Sequence, residues 1–274
     1  MNLLAAIDVT AASAPEVADQ GAAFAMALGA RLDLVHIGGG RPEAELLHAL
    51  VARLDPSVRG SAFRLDGDPE PMLLRAVAPY DVLVLGARRH GPLERFVLGS
   101  FAARIIRHAR CSVYVPRPGA VARFPASPRV AVAVALEGPN PGWVLGKAGV
   151  WAQHLGGRID ALYTDVSEVS YIRDPALREA ARHQWLRQHE PARMRLEALL
   201  EAIPAAHRGE ARVLEGSTDS ALVAASRDTD LLVVGTRSRP GLAGKILGSV
   251  AEHVVTHAHC AVLTVPSNTL DLDP

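Results

Sequence analysis

"VLVLGARRHGPLERFVLGS" runs from Val82 to Ser100, and "LLVVGTRSRPGLAGKILGS" runs from Leu231 to Ser249. Each is an apolar run ending in Gly, then a loop of Arg and small residues, then Leu-Gly-Ser. Gly235 and Gly248 follow Gly86 and Gly99 by 149 residues. The same interval carries Gly67 onto Gly216, Asp81 onto Asp230, His108 onto His257 and Cys111 onto Cys260. Intervals held over so many positions mark a duplicated unit, and that duplication decides the fold.

The start of each copy matches at a shorter interval. "ALGARLDLVH" (Ala27 to His36) lies over "HLGGRIDALY" (His154 to Tyr163) at 127 residues, so the second copy holds 22 extra residues. The chain is read as two related domains, 1–120 and 128–274, joined by the Pro- and Gly-bearing "PRPGAVARFPASP". The extra residues fall in a longer second helical region, about 167–210, whose Pro191 should bend or split the helix.

Units of roughly 130 residues are long enough to bury a core of their own. No run approaches the ~18 uncharged residues that cross a bilayer. "MNLLAAIDVT" has no basic n-region and meets Asp8 early, so no secretory signal is expected. The 29 basic and 29 acidic residues cancel, which argues against a general nucleic-acid surface. Two cysteines are no disulfide framework, and a cytoplasmic protein is expected, with neither membrane nor nucleic acid as partner.

"NLLAAID" is a near-continuous apolar strand of the kind buried on both faces of a parallel sheet. A helix follows, with Ser13 as its N-cap, Pro15 and Glu16 in its first turn and Gly29 as its stop. "RLDLVHI" is the second strand, and the next helix sets Leu46, Leu47, Leu50 and Leu54 on one side. Strands and helices alternate from there on in both copies. The fold class is therefore α/β: two tandem domains, each an open five-stranded, mainly parallel sheet with helices on both faces. The closing strands "CSVYVP" and "CAVLTVP" are apolar edges, and pairing them within the chain would remove an association hazard.

In such a sheet ligands sit beyond the carboxyl ends of the strands, at a topological switch point. Gly86 stands at the end of the fourth strand, and Gly99 and Ser100 open the next helix. A helix N-terminus offers unpaired N–H groups and the positive end of its dipole, Gly admits a phosphate closely, and Ser adds a hydroxyl. Asp8, ending the first strand, could accept from a ribose hydroxyl or an adenine amino group. Gly235, Gly248 and Ser249 are the second-copy counterparts. Equally, the glycines could serve only the strand-to-helix turns, and the serines only as caps.

The pattern G-x2-G-x9-G-[S/T], the Asp ending strand one, and the closing "H-A-x-C-x-V" resemble the universal stress protein family, tandem two-domain type. The resemblance covers the chain apart from the linker, the insertion and the last eight or so residues. It implies a five-stranded α/β domain of the adenine-nucleotide alpha-hydrolase-like kind and dimer-like pairing of domains, here a pseudo-dimer within one chain, with a homodimer as a further option. It also implies a non-enzymatic stress-response role and ATP or another adenine nucleotide as ligand.

Both copies depart from that motif. Its middle Gly falls at Arg89 in the first copy and at Ser238 in the second, and neither Gly91 nor Gly241 restores the spacing. Arg89 could obstruct a phosphate or pair with one. Ala135 aligns with Asp8, although Glu137 is two residues away, so the first copy is the better nucleotide candidate.

Other chemistry is weak. Arg88, Arg89 and His90 are a basic cluster that is either a solvated loop or an anion contact. His108 with Cys111 and His257 with Cys260 supply two ligands each, short of a zinc site. No Walker, nucleophile-elbow or H-E-x-x-H motif is present. The insertion carries Trp185, Tyr171, His183 and His189, and Trp185 is expected to pack the helix down, with a partner surface as the alternative. The leading expectation is a nucleotide-linked stress-response protein. The alternative is a nucleotide-free interaction scaffold with degenerate pockets, and a weak ATP hydrolase ranks last because no base or carboxylate pair accompanies Asp8.

Overall fold

The computed structural model describes residues 1–86, 88–90, 95–117, 124–137, 140–166, 169, 172–236 and 248–266, and of 88–90 and 95–97 the backbone alone. Ser238, Gly241, Gly91 and Tyr171, and the side chains of Arg88, Arg89 and His90, lie outside the described residues.

The first half runs β1 (Asn2–Ala6), α1 (Ala14–Ala27), β2 (Arg31–Ile37), α2 (Arg41–Arg53), β3 (Arg59–Leu65), α3 (Pro69–Ala76) and β4 (Val82–Leu85). It continues with β5 (Arg88–His90), β6 (Arg95–Val97), α4 (Ser100–His108) and β7 (Ser112–Val115). The second half runs β8 (Arg129–Ala133), α5 (Trp143–Leu155), β9 (Arg158–Asp165), α6 (Pro175–Gln188), α7 (Glu190–Leu200) and β10 (Arg208–Glu215). It ends with α8 (Thr218–Ala225), β11 (Leu231–Gly235), α9 (Ser249–His257) and β12 (Ala261–Val265).

Each half makes a parallel sheet, ordered β3-β2-β1-β4-β7 and β10-β9-β8-β11-β12. The halves join at their closing strands. β7 and β12 pair antiparallel, with Val115 opposite Val262, Tyr114 opposite Leu263 and Val113 opposite Thr264. Leu263 is the repeat counterpart of Tyr114, so the register is self-complementary about that pair, as a two-fold relation between the halves requires. One ten-stranded sheet results, and no apolar closing edge is left bare.

Alternate residues of each strand enter opposite layers. Leu3, Val84, Tyr114, Val132 and Leu263 share one core with α1, α5 and α7, while Leu4, Leu83, Val113, Ala131 and Val262 share the other with α4 and α9. Both layers run through both halves. Phe24 of α1 stacks on Tyr114 at 4.1 Å, so an aromatic pair backs the junction.

Duplication reaches small details. Asp81 accepts from the Asn2 amide and Asp230 from the Arg129 amide, each at 2.8 Å, pinning the first strand of its half. Gly29 and Gly156 end α1 and α5 with φ of 61° and 65°, a conformation that favours glycine.

Three local expectations change, and the split expected at Pro191 is present. Ser13 stands at the N-cap of α1 without a side-chain cap bond. Leu46 is exposed while Leu47, Val51 and Leu54 are buried, because the sheet meets the helix face one residue round. The segment expected as a plain loop after Gly86 contains the ribbon β5–β6, whose antiparallel pairing satisfies its own backbone groups. Pro191 lies in the first turn of α7, so the insertion is two helices that meet at His189.

Candidate functional site

In each half the chain leaves the first strand toward one side of the sheet and returns on the other, so β1/β4 and β8/β11 are switch points. A cleft opens at each.

The first cleft, about 390 Å³, is lined by Asp8, Ser13, His36, Gly86 and Phe101 among otherwise apolar side chains. Asp8 is set by a local turn, its Oδ1 accepting from the Thr10 hydroxyl at 2.6 Å and the Thr10 amide at 3.2 Å. Gly86 has a packing cause: a Cβ there would lie 2.5 Å from Cγ2 of Val17 on α1. Among the described residues Gly99 has neither a packing nor a backbone cause. It caps α4 at φ −64°, which any residue adopts, and among the described residues nothing stands within 4 Å of an added Cβ. Ser100 is the exposed first residue of α4, and Phe101 after it lines the cleft. Asp8 and Gly86 thus lie in its wall, while Gly99 and Ser100, the two residues before Phe101, do not line it. Arg89 sits on β5, between them in the chain.

His36 is a wall residue that the motif did not point to. It is the penultimate residue of β2, is buried, and places Nδ1 2.9 Å from the Ile7 carbonyl oxygen. A polar ring within the apolar end of "DLVHI" is its only trace in the sequence.

The second cleft is larger, about 750 Å³, and brings together Gly235, Gly248, Ala135 and Glu137. Gly248 caps α9, and Ser249 begins it. The Gly235 environment repeats that of Gly86, with Val144 Cγ2 at 3.0 Å from a Cβ. Although Ala135 takes the place of Asp8, two carboxylates line this cleft. Glu137 accepts from the Tyr163 hydroxyl at 2.8 Å, and Asp165 lies 2.8 Å from His189 Nε2. Burial, reinforced by the Glu137 bond, pushes the Tyr163 phenol up to about 12. Sequence alignment could not find Asp165 and His189, because one ends a strand and the other joins two helices of the insertion.

The cysteines belong to the core. Burial pushes the Cys111 thiol up to about 11 and the Cys260 thiol up to about 12. Among the described residues no cluster of three or more His, Cys, Asp or Glu side chains could hold a metal, and no helix is long and apolar enough to cross a membrane.

The model of the Universal stress protein family matches this chain twice, at residues 1–117 and 128–266. A universal stress protein of Methanocaldococcus jannaschii is 46% identical over 55 residues, 19% of this chain and 32% of that one. One of Synechocystis is 50% identical over 40 residues, 15% of this chain and 37% of that one. These matches span about a third of each relative's own length. Among solved structures, a universal stress protein of Archaeoglobus fulgidus superposes with a TM-score of 0.68, covering 97% of this chain and 98% of that one at 14% identity. A functionally unknown protein of Pseudomonas aeruginosa also gives 0.68, covering 97% and 92% at 16% identity. At these identities the structures speak for the fold.

Proposed function

Because this chain belongs to the universal stress protein family, we propose that it is a non-enzymatic stress-response protein whose first half binds an adenine nucleotide such as ATP. Its two units, 1–120 and 128–274, act as a pseudo-dimer within one chain, in the cytoplasm. In this reading the phosphates lie at the amides of Gly99 and Ser100, where α4 presents unpaired N–H groups and the positive end of its dipole. Gly86 admits the ligand along the cleft wall, Asp8 accepts from the ribose or base at the far end, and Arg89 either obstructs the phosphates or pairs with one. Gly235, Gly248 and Ser249 are the weaker second site. The observation that carries the reading is Gly99: among the described residues there is no steric or conformational reason for glycine there, whereas close approach of a phosphate would give one.

A nucleotide-free scaffold is the second reading. Gly86 and Gly235 favour it, since contact with Val17 and Val144 accounts for both glycines without a ligand. So does α6, an exposed helix whose only buried residue is Trp185.

Mass spectrometry of whatever denatured, freshly purified protein releases, combined with ATP titration, separates the two. Binding by wild type, its loss in Gly99→Val with Tm unchanged, and a much smaller effect of Gly248→Val are expected. Tighter binding by Arg89→Gly would make Arg89 an obstruction, and weaker binding a phosphate ligand. Absence of ATP binding in both wild type and Arg89→Gly leaves the scaffold.

A further inference from the structure

His253 and His257 stand four residues apart on α9, whose buried residues are Ala251, Val254 and Val255. The two imidazoles therefore share the side of the helix turned away from the core. Their rings lie face to face, with centroids 4.1 Å apart and 26° between the planes. Nδ1 of His257 lies 2.9 Å from the carbonyl oxygen of His253. A carbonyl oxygen cannot donate, so this Nδ1 carries the ring hydrogen and the neutral ring keeps its lone pair on Nε2. Nδ1 of His253 faces Oδ2 of Asp219, in the first turn of α8, at 3.9 Å. That carboxylate favours the hydrogen on the near nitrogen and leaves Nε2 of His253 with its lone pair as well. Among the described residues no hydrogen bond or ion pair engages either Nε2. Adjacent turns of one helix thus carry two imidazoles, each with one nitrogen turned to an acceptor and the other open.

We propose that His253 and His257 form a chelate, through their Nε2 atoms, for a divalent transition-metal ion, copper(II) before nickel or zinc. Histidine holds a metal in this way, the acceptor on the far nitrogen fixing the tautomer and raising the basicity of the ligating one. Imidazole suits copper, nickel and zinc, and copper(II) stands highest in the affinity order at a given nitrogen site. Copper(II) also takes tetragonal sets of nitrogen and oxygen, so two imidazoles and water suffice where a closed zinc site needs four protein ligands. To converge on one ion the rings must turn out of their stack. The His253 side chain is 38% exposed and His257 is exposed, so both have the room. Asp219 is a positioning residue, which orients His253 without touching the ion. Neither histidine lines either cleft, so the inference stands apart from nucleotide binding. Sequence spacing set His257 beside Cys260, but the fold buries that cysteine and brings His253 to His257 instead.

The test titrates copper(II) into the chain carrying no affinity tag, above the pH range in which imidazole titrates. Uptake is followed by the visible d–d band and by nitrogen hyperfine splitting in electron paramagnetic resonance. Wild type is expected to take up one equivalent tightly, with splitting from two nitrogens. His253→Gln and His257→Gln should each weaken that uptake by about a hundredfold, because the second imidazole of a chelate binds at the effective concentration its tether gives. Asp219→Asn should weaken it by about tenfold and keep the two-nitrogen splitting, which only a positioning role explains. His183→Gln alters an exposed histidine of α6 and should change nothing. Absence of a tight equivalent in wild type overturns the inference. So does tight uptake that survives both His253→Gln and His257→Gln, or its loss in His183→Gln. The wild-type stoichiometry and splitting need no variant to fold.

Discussion

Gly86 and Val17 touch so closely that β4 can carry no side chain where it leaves the sheet: a Cβ on Gly86 would lie 2.5 Å from Cγ2 of Val17. The counterparts Gly235 and Val144 repeat the contact at 3.0 Å. Gly86→Ala should therefore destabilise the chain by about 1–3 kcal/mol through overpacking, and Gly235→Ala by less. Adding Val17→Ala to Gly86→Ala should recover most of the loss. Urea denaturation of the three variants checks this, and full stability in Gly86→Ala would contradict the steric account.

Arg117 ties the closing segment of the first half to the second. Its Nε donates to the Cys260 carbonyl at 2.9 Å and its Nη2 to the Val254 carbonyl at 3.1 Å, while its own carbonyl accepts from Gln20 Nε2 at 2.6 Å. Burial lowers the guanidinium to about 10, so some of its binding energy offsets desolvation. Arg117→Met relieves that cost but strips two carbonyls of a charged donor. A net loss of about 2 kcal/mol is expected from thermal unfolding. A rise in Tm would show that desolvation of the guanidinium outweighs its two hydrogen bonds.

His189 holds the insertion down. Its ring stacks on Trp185 at 4.0 Å, with Nδ1 2.7 Å from the Trp185 carbonyl and Nε2 2.8 Å from Asp165. Because α6 buries Trp185 alone, its stability is local. His189→Phe keeps the stacking and removes both polar contacts. Amide exchange in α6 should speed up by about tenfold, while the sheet strands remain as protected as before. Equal acceleration across the sheet would show the insertion to be part of the global fold.

The two thiols should be inert in the fold. Cys111 and Cys260, pushed up to about 11 and about 12, present almost no thiolate at neutral pH. Iodoacetamide should label them only after denaturation, as read by mass spectrometry. Raised acid pKa values also set the sign of a pH effect. The stabilisation they contribute is complete below the ordinary thiol value of 9.0 and fades as pH rises through 11 and 12. Chemical denaturation should show this alkaline loss, and its reduction in the double Cys→Ala variant assigns the share of the thiols, since Tyr163, also pushed up to about 12, keeps its own.

Much of this protein is written along the chain. The intervals of 149 and 127 residues fix where equivalent elements begin, and apolar runs, glycine stops and Pro191 fix where they end, because these are local signals of backbone preference. Asp8, Gly86 and the glycines that cap α4 and α9 could be named for the same reason: each follows a strand or opens a helix. Other features needed the tertiary structure. The join at Tyr114 and Leu263 depends on two edges meeting across the molecule, and an apolar edge does not specify its partner. His36 reaches the Asp8 cleft because β2 pairs beside β1, and Asp165 meets His189 because the insertion folds back over β9. Glu137 joins Tyr163 in the second cleft, although the alignment put Ala135 in the acidic position. Local pattern records which way one segment buries its own surface; which side chains of distant segments converge is decided by packing, where the free energy belongs to the pair and neither residue alone carries its sign.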